Sequence, residues 1–138
     1  MSGTESSNAF STLKMHHIVF DELSFTRKGF QNIQSNDIQF KVNVMIGRNQ
    51  EGIYKVTLRV DADKEDEYEA SAQVTGYCEI DADCSLKDDI LKKNTVAILF
   101  PYIRAELTLL TAQPETTPIT LPAMNINALI DEAVENQT

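Results

Sequence analysis

The stretch 94-NTVAILFPYIRAELTLLTAQ-113 decides how this chain folds. At about 100° per residue, Val96, Leu99, Phe100, Ile103, Leu107 and Leu110 fall on one arc of a helix. Ile98, Tyr102, Ala105, Leu109 and Ala112 fall on nearly the opposite arc. Arg104, Thr108 and Thr111 fill one seam, and Glu106 with Gln113 the other. A helix lying on one sheet needs one apolar stripe, and this helix has two. Arg104 and Glu106 interrupt its apolar run, which excludes a membrane span. The second arc therefore needs a cover of its own. A short last helix shields part of it, and the remainder is an apolar patch of the kind that marks a protein interface. The residues thus predict an oligomer whose buried layer holds Ile98, Tyr102, Ala105, Leu109 and Ala112. The alternative is a last helix that covers the whole arc. Pro101 removes the backbone bond to Ala97 and predicts a kink, although a helix proper beginning near Phe100 fits equally well.

Working outward, residues 38–46 alternate Ile38, Phe40, Val42, Val44 and Ile46 with Gln39, Lys41, Asn43 and Met45. Residues 53–63 place Tyr54, Val56, Leu58 and Val60 on one face, and residues 68–80 do the same with Tyr68, Ala70, Ala72 and Val74. Period-two patterns joined by short turns predict an antiparallel meander with one covered face. Residues 16–28 read as a further strand whose parity changes between Phe20 and Leu23, so a bulge is expected near Asp21–Glu22. The segment 28-KGFQNIQSND-37 reads as a loop, and 86-LKDDILKK-93 as one or two helical turns. Pro114, Pro118 and Pro122 predict an extended connection. Asn125 caps a last helix with Ile126, Leu129, Ile130 and Val134 on one stripe. Residues 1–12 are expected to be a disordered tail and residues 13–138 a single domain.

The 138 residues suffice for a core without staples. The balance of 21 Asp+Glu against 12 Lys+Arg, net −9, excludes nucleic acid and anionic lipid as main partners and fits basic segments. No signal peptide is expected, and Cys78 with Cys84 reads as two reduced thiols, which points to the cytoplasm. His16 and His17 are adjacent strand residues that face opposite ways and do not chelate one ion. The acid pairs Asp61/Asp63 and Asp81/Asp83 read as solvated strand ends. The five glycines are scattered and form no phosphate loop. No nucleophile–base set is present, so no enzyme, no cofactor and no metal is expected.

The segment 98-ILFPYIRAELTLLTAQPETTPITLPAMNINALI-130 resembles the signature of the SecB-type chaperones. The matching positions are Leu99, Phe100, Pro101, Tyr102, Arg104, Leu121, Pro122, Asn125, Ala128 and Leu129. Upstream, 22-ELSF-25 and 53-IYKVTLRV-60 resemble the family's first and third strands. The resemblance implies an α+β fold: a four-stranded antiparallel sheet with a crossover after the first strand, and a long helix plus a short C-terminal helix packed on one face. It implies a homotetramer, built as a dimer of dimers with the long helices sandwiched between. It also implies an ATP-independent holdase that binds unfolded or non-native polypeptides, preproteins or an antitoxin, in hydrophobic grooves. By position Phe30, Ile33 and Tyr68 would line that groove, and the last helix with Ile126, Leu129 and Ile130 would be its lid. Export members dock the SecA motor through acids on the outer sheet face. Glu22 matches one, Thr26 stands in place of another, and Glu69 and Ser71 replace an apolar residue and a further acid. Docking through Glu22 and Glu69, service to a toxin–antitoxin pair, and a non-chaperone adaptor oligomer are the functional alternatives.

Overall fold

Alternating apolar side chains build four strands: β1 (Leu13–Arg27), β2 (Ile38–Arg48), β3 (Ile53–Lys64) and β4 (Tyr68–Ile80). The computed structural model describes residues 13–48, 52–80 and 91–121. The strands form one sheet in the order β1-β4-β3-β2, with every neighbouring pair antiparallel. β2, β3 and β4 are the expected meander. β1 lies at the far edge, so residues 28–37 cross from one edge of the sheet to the other.

Register follows the burial of one face. Val56, Leu58 and Val60 of β3 stand opposite Gly76, Val74 and Ala72 of β4, and these side chains are buried. On β1 the pairing shifts between Phe20 and Glu22, at the expected bulge. A second shift, between Met15 and His17, was not foreseen. Each inserts one residue and reverses the parity. The two together bring Met15, Ile18, Phe20, Leu23 and Phe25 opposite the inward residues Cys78, Gly76, Val74, Ala72 and Ala70. β1 also starts at Leu13, three positions earlier than the apolar run suggests.

A π-helical turn, Leu91–Thr95, leads into helix α1, Val96–Thr111, which lies on the inward face. Its buried side chains are Val96, Leu99, Phe100, Ile103, Leu107 and Thr111, so the first arc is the sheet-facing one. The helix runs through the exposed Pro101 from Val96 and does not begin near Phe100. It crosses β4 at Gly76, where an added Cβ would meet Met15 Sδ at 3.2 Å and Leu99 Cδ2 at 3.3 Å. The site thus requires glycine for close approach. Cys78 is buried beside Thr95, and burial pushes its thiol above the ordinary value, against a smaller opposing hydrogen bond to Thr95. Such a thiol is unreactive. Among the described residues no helix is long and apolar enough to cross a membrane. The expected N-terminal tail, the last helix with Ile126, Leu129 and Ile130, and Asp81, Asp83 and Cys84 lie outside the described residues.

Candidate functional site

The crossover segment 28–37 has no strand or helix of its own, so side chains must hold it. The β3–β4 turn does this. Asp66 adopts φ 63°, and the Glu67 N–H closes the turn on the Lys64 carbonyl at 3.0 Å. That turn aims the Glu67 carboxylate inward. It accepts hydrogen bonds from the Ile33 N–H at 3.2 Å and Asn36 Nδ2 at 2.7 Å, and pairs with Lys64 Nζ at 3.0 Å. The Glu67 carbonyl takes the Lys28 N–H at 2.8 Å. Burial pushes the Glu67 carboxyl upward, but hydrogen bonds from Asn36, Lys64 and Ile33, with the Lys64 charge, outweigh it and hold the pKa below the ordinary carboxylate value.

The proline-containing segment after α1 is fixed in a similar way. Thr111 Oγ1 accepts the Ile119 N–H, and Thr108 Oγ1 donates to the Ile119 carbonyl. Ile119 and Leu121 are thereby buried, two residues apart on an extended chain. Arg27 ties this segment to the crossover: it donates to the carbonyls of Gly29 at 3.0 Å and Pro114 at 2.9 Å and to the Thr116 hydroxyl. Asn32 Oδ1 accepts from the Thr117 N–H at 3.3 Å.

Between these two segments and the start of β2 opens a cleft of about 400 Å³. Its apolar lining is Ile38, Phe40, Pro118, Ile119 and Leu121, and Gln34, Asn36, Thr117 and Thr120 supply polar groups. Lys64, held by Glu67, also lines it. β2 is an edge strand. The cleft therefore offers apolar pockets beside a sheet edge, the two requirements for holding an extended peptide.

Two of the three groove residues expected from sequence are accessible: Phe30 is 89% exposed and Ile33 41%. Tyr68 is not. It is 1% exposed and its ring stacks on Phe25 at 5.2 Å. Phe40, Ile119 and Leu121 line the cleft and were not singled out. The i, i+2 spacing of Ile119 and Leu121 in an extended segment gives too short a signal to read, and Phe40 reads as an ordinary position of the β2 alternation. Neither was Glu67, which looks like any turn acid in 64-KEDE-67.

On α1 the second arc faces outward. Ile98, Tyr102, Ala105, Leu109 and Ala112 are all exposed, Leu109 at 63%. A contiguous apolar helix face of this kind marks an interaction surface.

The outer face of the sheet is polar, and its acids are engaged within the chain. Arg59 donates to Glu22 at 3.1 and 3.3 Å, to Asp61 at 3.2 Å and to Gln73 at 3.1 Å. The bonds to Glu22 and Asp61 raise the guanidinium pKa further. Ser71 donates to Asp61 at 2.6 Å, and Asp21 accepts from Thr75 and Gln73. Lys28 Nζ lies 2.7 Å from Asp63 and 3.6 Å from Glu69. Asp61 and Asp63 are thus ion-pair partners. No cluster of metal-ligating side chains occurs among the described residues.

Comparison with known proteins agrees with this architecture. The chain is 24% identical over 141 residues to an uncharacterised protein of Methanocaldococcus jannaschii, covering 91% of this chain and 89% of that one. Its fold is similar to that of the Rv1957 SecB-like chaperone of Mycobacterium tuberculosis, solved in complex with a ChAD peptide from the HigA1 antitoxin. The TM-score is 0.70 at 11% identity, covering 86% of this chain and 95% of that one. Residues 5–137 match the SecB family, described as preprotein translocase subunit SecB. With nearly its whole length matched, the chain belongs to the SecB family of non-enzymatic chaperones.

Proposed function

We propose that the chain is an ATP-independent cytoplasmic holdase that keeps non-native polypeptides extended. The cleft between the crossover, the β2 edge and residues 117–121 is the observation that carries this. A client buries apolar side chains on Ile38, Phe40 and Leu121, gaining about 25 cal/mol per Å² removed from water. Phe30 and Ile33 extend the apolar surface beside it, and Ile126, Leu129 and Ile130, outside the described residues, would supply the lid that the family resemblance implies. The outward arc of α1 joins copies of the chain into a dimer of dimers. Wrapping over several subunits then adds affinity through effective concentration.

The test is binding, without nucleotide, to one slow-folding polypeptide in denatured and native forms, with the mass of the complex recorded. Tight binding to the denatured form alone supports the holdase. No binding by a well-folded oligomer would make the cleft a subunit contact and the protein an adaptor.

One observation bears on the choice between two client routes. Docking of a motor such as SecA needs free acids on the outer face, yet Glu22 is held by Arg59 and Glu69 lies 3.6 Å from Lys28. This favours service to a dedicated client, such as the tail of an antitoxin, over export. Arg59→Gln frees Glu22 and Asp61. If export is the route, wild type binds SecA directly; if not, only the variant gains affinity for its basic segments.

A further inference from the structure

Glu67 is the buried carboxylate among the described residues, and what it holds is the crossover. Its side chain takes Ile33 and Asn36 while its carbonyl takes Lys28, so the segment is tied down at both ends. Gly29 lies close enough to the turn that an added Cβ would meet the Asp66 carbonyl at 3.0 Å. The residue after Glu67 is Tyr68, whose hydroxyl feels the Glu67 charge. Its ring is stacked on Phe25, and its buried hydroxyl has no hydrogen-bond partner among the described residues. In the same crossover, Phe30 stands almost wholly in solvent. The clamped position therefore carries an orphaned hydroxyl and an exposed aromatic ring, both unfavourable. A lifted crossover would relieve the first. The bonds to Glu67 oppose that motion.

We propose that Glu67 is a positioning residue for client binding: its carboxylate holds the crossover shut over the Phe25–Tyr68 ring pair, and a non-native polypeptide reaches that pair when the crossover lifts. The proposal rests on the holdase function above. The uncovered rings take an apolar client side chain, and the freed Tyr68 hydroxyl hydrogen-bonds to client backbone. Because the pair is competent only in the lifted state, apparent affinity is reduced by the fraction lifted. Weakening the clamp must then tighten client binding, an effect that simple structural damage does not produce.

The experiment uses the full chain and two variants, Asn36→Ala and Glu67→Ala. Asn36→Ala removes one donor from the crossover and leaves the Lys64–Glu67 pair intact, so the sheet survives it. Tyrosine nitration read by mass spectrometry reports access to Tyr68, with half-buried Tyr77 as reference and slow labelling of the Cys78 thiol as proof of an intact core. Reduced, alkylated ribonuclease is the unfolded probe. Nitration of Tyr68 is expected to rise about ten-fold in Asn36→Ala, with a similar fall in the Kd for the probe. Unchanged nitration in both variants overturns the clamp, as does released Tyr68 with probe affinity unchanged or weaker. If none of the three proteins binds the probe, the holdase function falls and the client half of the proposal with it. Tyr68 labelling then decides the clamp alone.

Discussion

Thr111 Oγ1 accepts the Ile119 amide proton at an N···O distance of 2.8 Å, while Thr108, three residues earlier on the same helix, donates to the carbonyl of the same Ile119 at 2.6 Å. Both backbone groups of a buried residue are thus satisfied by side chains of the preceding helix. Without them the extended segment would have no ladder partner for its polar atoms.

Thr111→Val keeps the shape and removes the acceptor. It leaves the Ile119 N–H buried and unpaired, a cost of about 1–3 kcal/mol. Denaturant unfolding should register the loss, and amide exchange at Ile119 should accelerate ahead of the strands. Wild-type exchange at Ile119 would show that the segment is held by apolar burial alone.

The two arcs of α1 should respond differently to mutation. Leu99→Ala empties a fully buried site and is expected to cost about 2–5 kcal/mol. Leu109→Asp, at an exposed position, should leave the fold of each chain intact and lower the mass in solution. Light scattering beside thermal unfolding separates the two effects. A Leu109→Asp variant of wild-type mass would remove the outward arc from the subunit interface.

Gly76→Ala places a methyl between Met15 and Leu99 at 3.2–3.3 Å. Met15 can yield, but Leu99 is fully buried on the sheet-facing side of α1, so a loss of about 1–3 kcal/mol is expected. Equal or greater thermal stability of the variant would mean that the helix lifts off β4 without cost.

Glu67 links stability to pH. Its folded pKa lies below the ordinary 4.5 despite burial beside Lys64, Asn36, Ile33 and Tyr68. It therefore stabilises the fold above about pH 4.5, and the contribution is lost as the pH falls through the lower folded value. Wild type should lose stability across that window faster than Glu67→Gln. Parallel pH profiles would assign the acid sensitivity to other carboxylates.

The strands and the sheet-facing arc of α1 were legible because burial writes a period into the sequence. Tyr54, Val56, Leu58 and Val60 alternate, and all four are buried. The bulge at Asp21 was legible for the same reason, since it breaks that period between Phe20 and Leu23. The bulge near His16 was not, because the apolar positions beside it are too few to fix a parity. The site was less legible. Phe30 and Ile33 stand exposed in the crossover, but Tyr68 is buried against Phe25, and the crossover's placement depends on Glu67. Contacts between Glu67 and Asn36, or Arg27 and Pro114, join distant stretches of chain through polar atoms. No local pattern announces such bonds.

The strand order also governs the order of events in folding. The meander β2-β3-β4 closes through short turns, so its contacts are local and form early. β1 leads the described chain yet pairs only with β4, Leu13 lying opposite Ile80. During synthesis it leaves the ribosome first and waits unpaired until the last strand has emerged. Closing the chain so that β1 meets β4 is then the slow step. A protein proposed to shelter unpaired strands must itself pass through a state with one exposed.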